Sequence, residues 1–423
     1  MTPAGSCART WSLRELVCQL SSGATTPAHA LNRARERIAA TEPHVHAWVE
    51  LDPAAGAAPA GSGPLGGVPL GVKDIIDTAG FRTRCGSHLR AHARRAEQDA
   101  AIAAAWRRTG ATPIGKTVTT EFAFFAPGPT RNPAGLDHTP GGSSSGSAAA
   151  VAAGQVPLAL GSQTAGSVIR PAAYCGVAAL VLSHGRFPSG GVTGLSPSLD
   201  SHGLFAARAA DIATALSALT GEPDAAAVRN RPPRVLLWTG DALGVVEPAM
   251  QAALLTVRDR LVAAGAVVDE FPAEGSVAEL AAAHPVVMAY EAARERSAEL
   301  ERADELSEPL ANLLRTGSAT TDRDYADALS SVRTGAGVIE RALDDTYDAI
   351  LGPAAPASAP LGVGATGDPV LSRPWQALGV PQLAIPVPVG PGALPLGVQL
   401  IGRKGADTAL LAAGCWIEAH LGD

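Results

Sequence analysis

Residues 138–171 read HTPGGSSSGSAAAVAAGQVPLALGSQTAGSVIRP, with two Ser/Gly clusters, GGSSSGS and QTAGS, on either side of a small apolar segment. Hydroxyls set among glycines expose both a nucleophilic oxygen and bare backbone N–H groups, because no side-chain bulk covers them. Oxyanion stabilisation needs such amides beside a reactive oxygen. Upstream, Lys73 stands in PLGVKDIID. The chain has a Lys-plus-Arg total of 33, of which only Lys73, Lys116 and Lys404 are lysine. Arg serves almost everywhere a cation is wanted, so a retained Lys suggests a task that Arg cannot perform. Arg stays protonated at any working pH, whereas a buried Lys can lose its proton and act as a base. Lys404, in IGRKGAD, reads as a solvated loop charge.

Three chemistries compete for these residues. Gly110 to Thr117 (GATPIGKT) fits the phosphate-cradling pattern G-x-x-x-x-G-K-[ST]. That loop must follow a strand and open a helix. Here a helical stretch precedes it, a β-branched and aromatic stretch follows, and Gly110 reads as a helix cap. Gly142-Ser143-Ser144-Ser145-Gly146 fits the G-x-S-x-G elbow, which would make Ser144 the nucleophile. An elbow needs a strand directly before it, and HTPGG is turn sequence. The third reading joins Lys73, a serine of GGSSSGS and Ser167. A serine hydroxyl needs a base to become a nucleophile, and neutral Lys can serve. The apolar PLGV before Lys73 would desolvate it, a bridging serine would relay the proton, and Thr164, Ala165, Gly166 and Ser167 would offer amides to an oxyanion. Pro171 suits the first turn of a helix, whose positive N-terminus would then lie near Ser167. The plain alternative is a pair of Gly/Ser turns and a surface lysine, and spacing alone leaves both open.

The elements that must position these residues follow from periodicity. Residues 11–42 carry two helices split by SSGATTP, with Pro27 starting the second. Residues 54–67 form an Ala/Gly/Pro-rich loop, and 68–77 a buried strand entering a turn. Helices are expected over 99–110, 147–153, 201–220 (ended by Gly221) and 246–265. Short strands are expected at 112–115, 234–238 and in AVVDEF. Residues 274–347 are mostly helical with solvated charged faces. The chain then returns to a strand in DAILGP, two more strands in VPQLAIPVPVG and GVQLIGR, and a closing helix. Alternation of strands and helices implies a mixed, mostly parallel sheet covered by helices, an α/β fold. No internal repeat or dividing linker is visible.

With 423 residues, 46% hydrophobic and 17% charged, the chain can bury a large core. The net charge of −7 and the lack of a basic run argue against a nucleic-acid partner. Five scattered cysteines, Cys7, Cys18, Cys85, Cys175 and Cys415, with no C-x-x-C pair, suggest inert thiols rather than a disulfide framework or zinc site. The segment WSLRELVCQL carries Arg14 and Glu15, so it does not read as a signal peptide, and no apolar run reaches the ~18 residues that span a bilayer. A cytoplasmic protein without membrane contact is expected.

Over residues 141–176, GGSSSGSAAAVAAG…GSQTAGSVIRPAAYCG resembles the amidase signature family. The likeness extends to GPLGGVPLGVKDIIDTAG before it, to LSPSLDSHG after it and to GVPQLAIPVP…LPLGVQLIGR near the C-terminus. It implies one α/β amidase domain over 1–423, a mixed, mostly parallel sheet with helices on both faces. Within it lie N-terminal helices and a loop (1–66), a catalytic core (67–221), a mostly helical substrate-shaping region (222–350) and returning strands and a helix (351–423). The resemblance implies Lys73 as base, Ser143 as bridging serine, commonly beside a cis peptide bond, and Ser167 as acylated nucleophile. Amides of Thr164, Ala165, Gly166 and Ser167 would form the oxyanion hole. Ala165 departs from the usual glycine, Val181-Leu182 from Lys-Pro, and Ile75 from a frequent Asn.

Q-T-x-G-S-V-I-R-P resembles a malonamidase-type branch rather than the tRNA amidotransferase subunits. Arg170 and Ser144 are the expected substrate-binding residues. Arg170 would grip a substrate carboxylate, or else pair with an acid such as Asp200. The expected activity is hydrolysis of a small amide, with a carboxylate-bearing substrate and a homodimer both allowed, and without cofactor or metal. Two alternatives are a subunit working only in a partner complex and a nucleotide-binding protein using 110–117. The pocket is expected to draw on the 274–347 helices and the loop around Trp375.

Overall fold

Eleven strands form one sheet in the computed structural model, which describes residues 6–55, 62–228 and 231–422. The centre of the loop expected over 54–67 lies outside the described residues. The strands are β1 (Trp48–Leu51), β2 (Pro69–Lys73), β3 (Thr112–Thr117), β4 (Leu158–Gln163), β5 (Ala178–Val181) and β6 (Ser201–Ala206), then β7 (Arg234–Leu237), β8 (Val267–Glu270), β9 (Ala349–Pro353), β10 (Gln382–Val387) and β11 (Leu396–Ile401). Their order is β1-β3-β2-β4-β6-β5-β10-β11-β9-β7-β8.

The sheet is mixed, and the two kinds of ladder have different origins. Parallel ladders join β3, β2 and β4 at one end and β8, β7 and β9 at the other. There the strand–helix alternation operates, because parallel neighbours need a crossover. Antiparallel ladders run through the middle, where β5 leads to β6 and β10 to β11 without a returning helix. Strands β2, β4, β5 and β9 are buried at every position. Strands covered on both faces lose the alternation of a half-exposed sheet, so PLGV and LALG read as plain apolar runs. The helices Ser145–Ala152 and Ile169–Cys175 pack together on the sheet, and Ala209–Thr220 packs with Asp407–His420.

The two N-terminal helices run Leu13–Ser21 and Pro27–Val45. Ser12 and Thr26 cap them by accepting from the amides of Glu15 and His29, and Pro27 stands in the first turn as expected. One expected helix needs correction. Residues 201–206 form β6, and the helix begins only at Ala209. The alanines around 206–210 look helical, but β6 lies between β4 and β5 and forms a ladder on each side, so tertiary pairing overrides local propensity. Gly221 caps the helix at φ 75°, as expected.

This topology brings the C-terminal ends of β2 and β4 side by side, with Val72 opposite Leu160. Ligands of open α/β sheets collect at such strand ends. The helix Ser145–Ala152 lies close against β2, β3 and β4 because Gly146 has no side chain. A Cβ there would stand 2.3 Å from both Ala47 O and Val118 N. Gly146→Ala is therefore expected to lower stability by about 1–3 kcal/mol, seen as a lower urea midpoint at unchanged slope.

Candidate active site

Lys73 ends β2 with no exposed surface. Its Nζ donates to Ser143 Oγ at 2.7 Å, Ser162 Oγ at 3.0 Å and Ser162 O at 3.3 Å. No carboxylate pairs with it among the described residues. Burial without a counter-charge disfavours the ammonium form and brings its pKa down to about 7, while Asp200 and Cys85 pull slightly the other way.

The neighbouring residue has the opposite outcome. Asp74 pairs with Lys116 at 3.3 Å, both side chains wholly buried. Lys116 Nζ also donates to Ile76 O (2.7 Å) and Thr83 Oγ1 (3.1 Å). Lys116 thus lies inside β3 and ties down the loop after β2. A phosphate-cradling loop would need it at the head of a helix. Lys404 is exposed, as expected.

Ser143 follows a cis Gly142–Ser143 peptide bond, as the resemblance implied. Gly141, at φ 76°, lets this turn lie against the next helix, since a Cβ would come within 2.9 Å of Pro171 Cα. Ser144 is fully buried, donates to Ser162 O at 3.2 Å and accepts from Ser162 N at 3.4 Å. It does not line the cavity at Ser167, so its expected contact with substrate is replaced by support for Ser162.

Ser167 lies in the loop between β4 and the helix Ile169–Cys175, and its carbonyl accepts from Ser144 N at 3.3 Å. The loop is held from three sides. Gln163 Oε1 accepts from Val168 N (2.9 Å) and Ile169 N (3.1 Å), which takes up the amides at the helix start. Gln163 Nε2 donates to Gln376 Oε1 (3.0 Å) and Gln382 Oε1 (3.1 Å). Thr164 Oγ1 donates to Asp200 Oδ1 at 2.5 Å, and Thr164 O accepts from His284 Nε2 at 2.8 Å. Burial drops the His284 pKa to about 4, keeping the ring neutral. Among the described residues, the amides of Ala165, Gly166 and Ser167 donate to no protein acceptor. They are free to meet an oxyanion.

Ser143, Ser167, Thr164, Ala165, Gly166 and Arg170 share one small cavity. Arg170 is 3% exposed, and its Nη2 donates to Gly142 O at 2.7 Å and Thr366 Oγ1 at 3.3 Å. Among the described residues, its Nε and Nη1 have no hydrogen-bond partner. Burial lowers its pKa to about 10, leaving it a cation at neutral pH. The pairing with Asp200 does not form, because Asp200 accepts from Thr164, Leu195 N and Ser196 N. A buried guanidinium with idle donors can receive a carboxylate.

The model of the family described as Amidase matches residues 30–411. The chain belongs to the amidase family. A glutamyl-tRNA(Gln) amidotransferase subunit of Lachnospira eligens is 30% identical over 478 residues, covering 96% of this chain and 98% of that protein. A crystal structure of an amidase matches with a TM-score of 0.87 at 30% identity, covering 97% and 100% of the two chains. The crystal structure of the glutamyl-tRNA(Gln) amidotransferase subunit from Thermotoga maritima matches at 0.81 and 26%, covering 96% and 93%. This amidase is an enzyme of amide C–N bonds. Further curated relatives at 30–34% identity carry the same amidotransferase-subunit name.

Several residues of the amidase site escaped sequence reasoning. Gln376 and Gln382 lie more than 200 positions from the loop they hold, and His284 is a lone histidine in a helix. Met288 enters the small cavity from the helix Glu274–Glu295, where pocket residues were expected. The loop before Trp375 contributes Thr366 and Pro369 to the same cavity, while Trp375 itself packs edge-on against Trp238 and Phe271 in the core. Cys85 and Cys175 are buried with raised pKa values, Cys85 to about 11, so neither is a thiolate at neutral pH. Among the described residues, no helix is long and apolar enough to cross a membrane.

Having only three lysines makes Lys73 directly observable. With 13C-methylene-labelled lysine, NMR should show a signal titrating near pH 7 that disappears in Lys73→Met. A Lys73 signal without a step between about pH 6 and 8 would contradict a desolvated amine.

Proposed function

We propose that this amidase hydrolyses a small, carboxylate-bearing amide through an acyl-enzyme on Ser167. The observation that carries this reading is the contact of the unpaired, buried Lys73 with Ser143, a residue of the same small cavity as Ser167. Neutral Lys73 takes a proton from Ser143 as Ser143 takes one from Ser167. Ser167 Oγ attacks the carbonyl carbon, and backbone amides of residues 164–167 receive the oxyanion. Ser143 then protonates the departing nitrogen and is itself reprotonated by Lys73. Water enters by the reverse relay, forms the acid and frees Ser167. Arg170, through its idle Nε and Nη1, holds the carboxylate of the acyl part.

The pH dependence follows in sign. Only neutral Lys73 accepts a proton, and its neutral fraction grows as pH rises through about 7. So kcat/KM should rise across that range and level off above it. Ser167→Ala and Lys73→Arg should each cut kcat by about 10^4-fold or more, with folding retained by circular dichroism. Lys73→Arg keeps the charge and loses the base, so near-normal turnover there would refute the relay. Arg170→Ala should raise KM strongly for a carboxylate-bearing amide and little for a neutral amide of equal size.

A second reading is a subunit that works only with partner chains. Its support is the match to a glutamyl-tRNA(Gln) amidotransferase subunit over nearly that protein's full length. Ammonia or amine release by the purified chain alone decides for the first reading, and release only on adding partner chains for the second.

A further inference from the structure

Two cavities adjoin at Ala123, Thr164 and Leu195, and Ser167 lines the smaller of them. The smaller, about 20 Å³, contains Ser143, Ser167 and Arg170 and is walled by Phe124, Phe125 and Met288. It is far smaller than its neighbour, so the acyl chain that reaches from Ser167 to Arg170 must be short. The larger cavity, about 330 Å³, adjoins it, with Ala123, Thr164 and Leu195 lining both. It also reaches Ser162, whose Oγ lies 3.0 Å from Lys73 Nζ. Ile75, Phe187 and Val192 give it apolar walls. Nothing in hydrolysis of a primary amide uses that volume.

The order of events in an acyl-enzyme assigns the two spaces. The nitrogen takes its proton from Ser143, which Lys73 recharges. Ser143 lines the small cavity, and Lys73 also contacts Ser162 of the larger one, so a nitrogen placed where the two cavities adjoin can turn its substituent into the larger space. The amine must also leave before water enters. The small Arg170 cavity has no room for a ring-sized amine beside the acyl group. An amine in the larger cavity departs and vacates the path that water then follows.

We propose that the larger cavity is the leaving-group lobe, and that the enzyme takes N-substituted amides of short carboxylate-bearing acids, with an amine part the size of a ring. This inference rests on the acyl-enzyme reading above. In its first half-reaction the C–N bond breaks, a Ser167 Oγ–C bond forms, and the Ser167 proton leaves on the neutral amine by way of Ser143 and Lys73. In the second, water supplies the hydroxyl of the acid and returns a proton to Ser167. A cavity of about 150 Å³ accepts a benzene ring, so the larger lobe holds an arylalkyl amine with space to spare.

The test compares malonamate with N-benzylmalonamate on the full chain, benzylamine and ammonia being of similar basicity. The expected result is a kcat/KM at least about tenfold higher for the benzylamide. Val192→Trp, which fills the lobe, should lower the benzylamide-to-primary-amide ratio by about tenfold or more. A benzylamide turned over no faster than malonamate by the wild-type enzyme overturns the inference, whatever the variant does, and leaves the Ser167 relay standing. If neither amide is hydrolysed and no acyl adduct forms on Ser167, the acyl-enzyme reading falls and this inference with it.

Discussion

A lysine ammonium deprived of both water and a counter-charge is the constraint on which the rest of this structure depends. Lys73 and Asp74 are consecutive and equally buried, yet only Asp74 receives an opposite charge, from Lys116. That pair keeps the turn after β2 in place, with Asp74 also accepting from Arg84 N. Among the described residues, Lys73 has only hydroxyl and carbonyl oxygens as partners. Desolvation therefore outweighs the opposing pull of Asp200 and Cys85, and the amine becomes a base near neutral pH. The two lysines show one side chain in two environments: paired, it fastens a loop; unpaired, it handles protons.

Such a base is useful only if the nucleophile loop is rigid, and the fold invests many polar contacts in that. Gln163 reaches forward to the amides of 168 and 169, while Gln376 and Gln382 hold Gln163 from behind. Asp200 grips Thr164 and organises Leu195 and Ser196 in the same stroke. Glu291 continues outward, accepting from Ser196 Oγ (2.7 Å), Ser198 Oγ (2.6 Å) and Tyr325 (2.7 Å). The loop that walls the larger cavity is thus bolted to the helix Glu274–Glu295. A preorganised site of this kind needs little rearrangement when charge develops on the carbonyl oxygen.

Lys73 and the two Ser/Gly clusters stood out because rare residue types and short motifs carry local signals, whereas the choice of Ser143 as bridge came from the family resemblance. The central strands were legible because double burial makes them apolar runs. Strand β6 was not, since SHGLFA beside a row of alanines has no pattern that distinguishes it from a helix start, and only its partners β4 and β5 decide. Gln376, Gln382 and His284 act across long sequence separations through ordinary side chains, so no spacing announces them. Arg170 was visible as a cation near the nucleophile, but its idle donors depend on Asp200 being fully engaged elsewhere.

The central claim is that Lys73 sets the reactivity of Ser167. The most direct measurement is the rate at which a fluorophosphonate modifies the protein against pH, with the site read by mass spectrometry. The account predicts modification at Ser167, a rate that climbs through about pH 7, and a slow, pH-flat rate in Lys73→Met. Modification elsewhere, or an unchanged pH dependence in Lys73→Met, would contradict it.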